Sequence, residues 1–384
     1  MLKSKSDNKC NIAYKYRIYP TEDQKVFFAK NFGCCRKIWN LMLNDKINHY
    51  KATGKMLQTT PAQYKETYPY LREVDSFALC NVQMNLQTAY NNFFTNKKTG
   101  FPKFKSAKHS QRKYTTNNST KKATIYIVDD KYIRLPKIGL VKAFIHRKAP
   151  ANYILKAATI SEEPDGSFYA SVLYEYEDNV QFVDSIHTHI GLDYKSDGLY
   201  TNSLGECANM PHWFRNNQKK LAKAQRKLAK KQHGSKNYGK QKHKIAKINR
   251  KTANQRADYL HKKSKELTDK YELISVEDLN MKGISRSLKL GKATMDNGYG
   301  LFLKMLEYKQ RNKGHYFIRI NKWYPSSQLC QCGYKNPTTK DLKVRTVVCP
   351  KCGAIYDRDE NAAINIDNEG LRVLYEQYNI KLVV

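Results

Sequence analysis

The chain has 384 residues, of which 69 are Lys or Arg and 34 are Asp or Glu, so its formal net charge is +35. The length predicts two or three domains, the 40% content of hydrophobic residues excludes a disordered chain, and the charge favours nucleic acid as a partner. The sequence has no apolar run of 18 residues and its first residues lack the apolar core of a signal peptide, so we expect a cytoplasmic protein without a membrane partner.

The N-terminal half predicts a small β-barrel that is interrupted by a helical unit. Residues 11–19 predict a strand that ends at Pro20, and residues 21–97 predict helices because their apolar residues recur at helical spacing. Residues 123–178 contain short apolar strands separated by turn sequences such as EPDG. Strands at this spacing are typical of an antiparallel barrel, which the N-terminal strand would complete.

The C-terminal half predicts a mixed α/β domain. THIGLDY and GLYTNS indicate a strand hairpin, and ELISVEDL and HYFIRINKWY indicate two further strands. Residues 213–265 hold nineteen Lys or Arg against one acid, Asp258, and GSKNYG at 234–239 indicates the turn of a helical hairpin. A charge run is usually a solvated face. Because like charges four residues apart destabilise a helix without counter-charges, we favour a hairpin that follows a nucleic acid.

Three acids stand at the ends of predicted elements: Asp193 and Glu277 after apolar strands, and Asp359 at the start of a helix. Each alone is most simply a turn or capping residue. The order of the elements can nevertheless bring the three to one end of a mixed sheet. Clustered carboxylates repel one another unless a cation lies between them, and oxygen ligands favour Mg²⁺. We therefore expect a two-metal site that hydrolyses phosphodiester bonds.

Four cysteines have the spacing of a zinc ribbon. Cys330, Cys332, Cys349 and Cys352 form C-x-C and C-x-x-C pairs, which would hold one structural Zn²⁺ through four thiolates. The first pair is one residue shorter than the common spacing, which leaves the geometry of that half of the site open.

A set of motifs along nearly the whole chain resembles a known family. The set includes YKYRIYPTEDQ, FGCCRKIWNLML, GLDYKSDGLYTNSLGE, SVEDLNMKG, YPSSQLCQCGYKN and CPKCGAIYDRDENAAINI. Together these motifs resemble the TnpB (OrfB) proteins of bacterial insertion sequences, which are compact relatives of type V CRISPR effectors. The resemblance implies RNA-guided cleavage of DNA by a protein of a transposable element.

The resemblance also implies a fold. It predicts a RuvC/RNase H-like mixed sheet with a zinc-ribbon insertion, and an N-terminal oligonucleotide-binding (wedge) β-barrel interrupted by a helical recognition unit. The expected boundaries are 1–20 and 99–183 for the wedge, 21–98 for the recognition unit and 184–384 for the nuclease domain. Within the nuclease domain we expect the basic hairpin at 213–265 and the ribbon at 325–356. Residues 284–300 contain Gly and Ser and lack apolar periodicity, which fits a candidate lid over the site or an ordinary surface loop.

Carried over residue by residue, the resemblance implies roles for single side chains. Asp193, Glu277 and Asp359 match the catalytic acids that hold two Mg²⁺ ions, and Arg345 and Arg358 lie at motif positions that help to place the phosphate. The four cysteines match the zinc ligands. The expected nucleic-acid contacts are Tyr50, Ser76, Asn81, Lys219, Lys220, Arg226, Lys227, Lys230, Lys244, Arg250 and Arg256.

The implied partners are a guide RNA from the transposon end and double-stranded target DNA with a short flanking motif. The protein is expected to be monomeric in this ribonucleoprotein and to lie on the nucleoid when it is bound to DNA.

Three alternatives stay open. One is an RNA-guided DNA-binding regulator that does not cut, although the chain retains all three acids that such regulators lack. Another is an unguided, structure-specific RuvC-like nuclease. A strand-joining transposase comes last, because the pair His187 and His189 encloses Thr188 rather than an apolar residue.

Overall fold

A computed structural model describes residues 9–119, 123–287, 291, 296–341 and 344–383. The chain divides into two compact units, Met1–Asp178 and Asn179–Val384. Residues 288–290 and 292–295 of the candidate lid lie outside the described residues. Within the described ranges, no helix combines the length and the apolar character that a bilayer-spanning segment requires.

The first unit is built on an antiparallel sheet. Its described strands lie in the order β2-β6-β7-β1-β5-β4-β3. These strands are β1 Lys9–Tyr19, β2 Arg112–Asn117, β3 Tyr126–Val128, β4 Tyr132–Leu135, β5 Gly139–Phe144, β6 Ile154–Glu162 and β7 Phe168–Glu177.

The N-terminal strand β1 lies in the middle of this sheet. It pairs with β7 over Lys9 to Ile18 and with β5 over Arg17 to Tyr19, which confirms that the N-terminal strand joins the later strands. Sequence reasoning missed β2, whose sequence RKYTTN contains one apolar residue and so lacks an apolar alternation. Its Tyr114 is nevertheless buried in the core.

The helices of the first unit follow β1. Helix α1 begins at a capping box, in which Thr21 Oγ1 accepts a hydrogen bond from the Gln24 amide and the Gln24 side chain accepts one from the Thr21 amide. It ends at Gly54, whose φ of 67° lies in the left-handed region. Phe28 and Phe32 of α1 are buried against the sheet. The helices are α1 Glu22–Thr53, α2 Tyr64–Thr67 and α3 Ser76–Thr95, with 3-10 turns at Pro61–Gln63 and Pro69–Arg72.

The second unit combines a mixed sheet with helices. Its described helices are α4 Trp213–Ala229, α5 Lys236–Lys270, α6 Met281–Ser287, α7 Tyr299–Asn312 and α8 Arg358–Tyr378, with 3-10 turns at Ser326–Gln328 and Pro337–Lys340. Its described strands are β8 Ser185–Ile186, β9 His189–Tyr194, β10 Tyr200–Asn202, β11 Leu273–Glu277, β12 Tyr316–Ile320, β13 Thr346–Val348, β14 Ile355–Asp357 and β15 Lys381–Leu382.

The main sheet of the second unit has the order β10-β9-β11-β12 in the described residues. β9 is antiparallel to β10 and parallel to β11, and β11 is parallel to β12. The parallel strand β11 is buried along Leu273 to Val276, as expected for a strand covered on both faces. Separate short pairs join β13 to β14 and β15 to β8.

The basic helical hairpin is present, but its turn lies earlier than the sequence predicts. Helix α5 begins at Lys236 because Ser235 caps it and accepts a hydrogen bond from the Tyr238 amide. The turn therefore spans 230–235 rather than 234–239. Gly239 lies inside the helix, and α5 continues to Lys270, past the predicted end at residue 265.

Helix α8 lies unusually close to the sheet. A Cβ atom added to Gly191 of β9 would lie 2.2 Å from the carbonyl oxygen of Ala363. A Cβ atom added to Gly370 of α8 would lie 1.8 Å from Ser275 Oγ on β11. Because real Cβ atoms do not approach other atoms so closely, both positions require glycine for the helix to rest directly on the strands.

We predict that Gly370→Ala destabilises the second unit by about 1–3 kcal/mol, because the added methyl group overlaps a buried side chain. The matched control is Gly239→Ala on α5, where no atom lies within 4 Å of the added Cβ. There the same substitution should stabilise the helix by about 0.5–1 kcal/mol. Urea unfolding followed by circular dichroism measures both changes, and an equal effect of the two substitutions would contradict the close packing.

Candidate functional site

Three carboxylates line one cavity at an edge of the main sheet. Leu192 of β9 pairs with Val276 of the parallel strand β11, so Asp193 and Glu277 are the next residues along the two strands. Asp359 lies in the first turn of α8. All three side chains line a cavity of about 280 Å³. The fold therefore brings together acids that are far apart in the sequence.

Burial and neighbouring charges act on these carboxyl groups. Burial raises the pKa of Asp193 well above its usual value, and the charges of Glu277 and Asp359 raise it further. The Arg358 guanidinium acts in the opposite direction. Burial also raises the pKa of Glu277, whereas a hydrogen bond from the Ser326 hydroxyl lowers it. A cation between the carboxylates would offset the repulsion, so this donor set fits Mg²⁺.

The two arginines at the cavity have different surroundings. Arg345 is largely exposed, and its Nη1 donates to both oxygens of Asp359 at 2.7 and 2.9 Å. Arg358 is buried, and its backbone amide donates to the Arg345 carbonyl at 2.8 Å. Its Nη1 also donates to the Asp341 carbonyl at 3.3 Å. Arg345 is thus the counter-ion of Asp359 in this structure. Arg358 is hydrogen-bonded to the loop that contains Arg345.

The carboxylates share a cavity but do not form a closed ligand set. Among the described residues, the one group of three or more His, Cys, Asp or Glu ligand atoms that all lie within 4.8 Å of one another is the cysteine cluster. The third carboxylate is paired with a guanidinium, because Asp359 binds Arg345.

The four cysteines form a cluster with the geometry of a zinc site. The Sγ atoms of Cys330 and Cys352 are 3.7 Å apart, and those of Cys332 and Cys349 are also 3.7 Å apart. Four sulfurs about 2.3 Å from a central zinc ion would lie about 3.8 Å from one another in a tetrahedron. The cluster therefore fits one zinc ion held by four thiolates.

The short C-x-C pair reaches the cluster through a tighter turn. The Gly353 amide donates to the carbonyl of Cys349, four residues earlier, whereas the Gly333 amide donates to the carbonyl of Cys330, three residues earlier. Both glycines have a positive φ, 81° at Gly333 and 73° at Gly353. The first pair is thus one residue shorter because its turn is tighter, and all four cysteines still reach the cluster.

Side-chain amides connect the cysteine cluster to α8. Gln331, between the first two cysteines, donates through Nε2 to Asn361 Oδ1 at 2.9 Å and to Asn365 Oδ1 at 3.0 Å. Both asparagines are buried on α8, and both donate to the Leu329 carbonyl. A buried amide oxygen that loses its donor costs about 1–3 kcal/mol. Sequence reasoning missed these residues, although two asparagines four positions apart around the apolar run AAI are a signal.

A further buried contact was missed near the start of β9. Asp367 of α8 accepts hydrogen bonds from Ser203 at 3.0 Å and pairs with His189 Nδ1 at 3.0 Å. His189 is the first residue of β9, so this contact joins the start of that strand to α8. It is a polar connection between α8 and the sheet, in addition to the connection between α8 and the cysteine cluster.

The predicted nucleic-acid contacts lie on both units. On the first unit, Tyr50 is exposed on α1, and Ser76 begins α3. The Asn81 amide is engaged with β2, because Nδ2 donates to the Thr115 carbonyl at 3.1 Å and to Asn117 Oδ1 at 3.2 Å. Asn81 also lines a cavity of about 510 Å³ whose basic residues the sequence analysis did not single out: Arg36, Lys103, Lys105, His109 and Lys113.

On the second unit, the predicted contacts follow the basic hairpin. Arg250 and Arg256 of α5 are half-buried. The exposed members are Lys219, Lys220, Arg226 and Lys227 of α4, Lys230 in the turn and Lys244 of α5. The exposed side chains present a row of positive charge that a polyanion could neutralise.

Three family models match successive parts of the chain. A model described as "Helix-turn-helix domain" matches residues 8–55, where this chain has β1 and the single helix α1. The OrfB model, described as "Probable transposase", matches residues 171–288. A model described as "Cas12f1-like, TNB domain" matches residues 299–366, which include the cysteine cluster and Asp359.

Relatives match over nearly their whole length. A protein of Streptomyces pristinaespiralis named "Putative RNA-guided DNA endonuclease" is 32% identical over 94% of this chain and 89% of its own. "Putative RNA-guided DNA endonuclease InsQ" of Escherichia coli is 29% identical over 94% of this chain and 93% of its own. Among solved structures, Cas12f1 in a complex with sgRNA and target DNA matches with a TM-score of 0.59 at 13% identity, over 94% of this chain and 99% of that chain. This similarity shows a shared fold.

We predict that Cys352→Ser removes the zinc ion that the purified chain carries, because three thiolates cannot close a tetrahedral structural site. The control Cys80→Ser changes an exposed cysteine of the first unit and should leave one zinc per chain. Zinc released from unfolded protein is measured by mass spectrometry of the metal. Retention of stoichiometric zinc in Cys352→Ser would contradict the assigned ligand set.

We also predict that Asp193→Asn raises the melting temperature at pH 7 when no divalent cation is added. The pKa of Asp193 is higher in the folded than in the unfolded chain, so its contribution to stability is lost as pH rises from the unfolded pKa through the folded one. The substitution removes the ionisable group, and with it this loss of stability at pH 7. Mg²⁺ at a hundred times its Kd should stabilise the parent by about 2.7 kcal/mol and the variant far less.

Scanning calorimetry measures both effects. Asp184→Asn, at an exposed aspartate of the same unit, is the control and should change neither the melting temperature nor its response to Mg²⁺. A parent chain that Mg²⁺ fails to stabilise would rule out a divalent-cation site at these carboxylates.

Proposed function

The chain belongs to the TnpB (OrfB) family of insertion-sequence proteins, and from this premise we propose that it is an RNA-guided DNA endonuclease of a transposable element. The observation that carries the proposal is the meeting of Asp193, Glu277 and Asp359 at one cavity, although 84 and 82 residues separate them in the sequence. The names of the relatives from Streptomyces pristinaespiralis and Escherichia coli support the same activity.

The carboxylates are the proposed ligands of two Mg²⁺ ions. Bound there, the ions would neutralise the charge that develops on the phosphate and lower the pKa of water. The chain contributes the positions of the ligands: β9 and β11 hold two of them on one sheet edge, and α8 holds the third. Two of the ligands are thus held on the sheet, and binding of the ions would require Asp359 to turn away from Arg345.

Arg345 is the proposed phosphate ligand of this site. Its guanidinium is exposed and bound to Asp359, and the same planar group of donors matches a phosphodiester. If Asp359 held a metal ion, the Arg345 guanidinium would be free to bind a phosphate of the DNA strand beside the cavity. Arg358 is buried beneath this loop and positions Arg345 through the backbone.

The remaining parts of the chain bind the nucleic acids in this proposal. The first unit, which ends at Asp178, would hold the recognition unit, residues 21–98, and the wedge, residues 1–20 and 99–183, except for the last five residues of the wedge. The second unit would hold those five residues and the RuvC-like nuclease domain, residues 184–384. The guide RNA follows the exposed lysines and arginines of the hairpin, and base pairing selects the target next to a short flanking motif.

The test is purification of the chain co-expressed with the DNA that flanks its gene. Sequencing of the bound RNA and plasmid cleavage with and without Mg²⁺ then decide the class. We expect a discrete RNA from the adjacent locus and cleavage that follows its guide sequence. Asp193→Ala, Glu277→Ala and Asp359→Ala should each lower the cleavage rate by roughly 10³ or more, whereas RNA and target affinities stay unchanged.

Glu376→Gln, at an exposed acid near the end of α8, is the control for these substitutions and should cut as the parent does. Target binding by the parent without cleavage would favour a guided regulator instead. Cleavage of branched DNA without any RNA would favour an unguided structure-specific nuclease.

A further inference from the structure

Residues 326–331 connect the cysteine cluster to the carboxylate cavity, and we name this run the strap. It begins at Ser326 in a 3-10 turn and ends at Gln331, and it contains the cysteine ligand Cys330. Its first residue donates a hydrogen bond from the Ser326 hydroxyl to Glu277. Its last residue lies between the two cysteines of the short pair. The strap thus touches the proposed active site at one end and the zinc site at the other.

The middle of the strap is bound to α8 by two buried asparagines. Asn365 Nδ2 donates to the Ser326 carbonyl at 2.8 Å and to the Leu329 carbonyl at 2.7 Å, and Asn361 Nδ2 donates to the Leu329 carbonyl at 2.6 Å. Asn361 and Asn365 are 2% and 5% exposed. They lie two and six residues after Asp359 on the same helix, so the strap fixes the part of α8 that carries this acid.

Gln331 completes the hydrogen bonds of both asparagines. Its Nε2 donates to the two Oδ1 atoms at 2.9 and 3.0 Å, so the donor and the acceptor of each buried amide bind the strap. A buried polar network of this kind is strong only when every member is satisfied. The location of Gln331 depends on the tight turn between Cys330 and Cys332, which the cysteine cluster holds in place.

We infer that zinc binding at the cysteine cluster fixes the positions of Glu277 and Asp359 through the strap, with Gln331 as the positioning residue. The functional part of this inference rests on the proposed nuclease site, whereas the structural part is independent of it. Loss of zinc frees the turn at Gln331, the two asparagines lose their donor, and both the start of α8 and the hydrogen bond from Ser326 to Glu277 loosen together.

The first test measures hydrogen exchange in the full chain without any nucleic acid. Gln331→Met keeps the length of the side chain but removes the amide, and it should retain one zinc per chain. We expect amides of residues 358–366 to exchange roughly tenfold faster, as expected for the loss of donors to buried acceptors. Gln377→Met, at an exposed glutamine near the end of the same helix, is the matched control and should exchange as the parent does.

A double-mutant cycle separates transmission from simple destabilisation. Cys352→Ser, which lacks zinc, should accelerate exchange in the same residues. If zinc acts through Gln331, adding Gln331→Met to Cys352→Ser should change nothing further, because the contact is already lost. Additive effects of the two substitutions would overturn the inference.

The second test measures function. Gln331→Met should lower the single-turnover cleavage rate and the affinity for Mn²⁺, used as the probe ion, each by roughly tenfold, whereas guide and target affinities stay unchanged. Ser326→Ala removes the hydrogen bond to Glu277, and it should weaken Mn²⁺ binding while zinc is retained. This variant tests the inference if Gln331→Met does not fold.

Besides additive effects in the double-mutant cycle, two further outcomes would overturn the inference: exchange and Mn²⁺ affinity in Gln331→Met that equal those of Gln377→Met, or loss of zinc from Gln331→Met. The second outcome would make Gln331 a part of the zinc site alone. If the parent neither binds Mn²⁺ nor cleaves DNA, the proposed function fails, but hydrogen exchange still decides whether the strap transmits zinc binding.

Discussion

The close approach of α8 to the sheet is the constraint on which the second unit depends. Glycine at position 191 lets the backbone of α8 lie directly against β9, and glycine at position 370 leaves room for the Ser275 side chain of β11. This contact sets the height of Asp359 over the sheet edge where Asp193 and Glu277 lie. Side chains at these two positions would push the helix off the sheet and carry the third acid away from the other two. The geometry of the cavity is therefore fixed by the absence of two methyl groups.

Polar contacts determine how α8 is placed along and around its axis on the sheet. Asp367 binds Ser203 and pairs with His189 at the sheet side of the helix, and Asn361 and Asn365 bind the strap at the other side. Such buried networks contribute little net stability but exclude alternative placements of the helix, since each slipped arrangement would leave buried groups without partners. Apolar packing brings α8 to the sheet, and the polar contacts determine its register.

The sequence predicted the elements with strong periodicity and the residues with a chemical signature. Strands β3 to β7 lie within the residues 123–178 that were predicted to form short strands, because apolar residues recur along them. The four cysteines were found by spacing alone. Strand β2 was missed because its inward residues include Thr116, and the hairpin turn was misplaced because Gly239 fits a helix as well as a turn. Gln331 was not predicted, since its role depends on a contact with α8 that spacing does not encode.

The pairing of β15 with β8 has a topological consequence. Leu382 pairs with Ile186, and the Val383 amide donates to the Ile186 carbonyl at 2.8 Å, so the last described residues lie beside the first strand of the second unit. When the two ends of a unit lie side by side, they can be joined by a short linker and the unit reopened at a surface loop. In such a circular permutant of the second unit the three acids would follow one another in a different order and still meet at the same sheet edge. Their spatial convergence, and not their succession, is what the fold preserves.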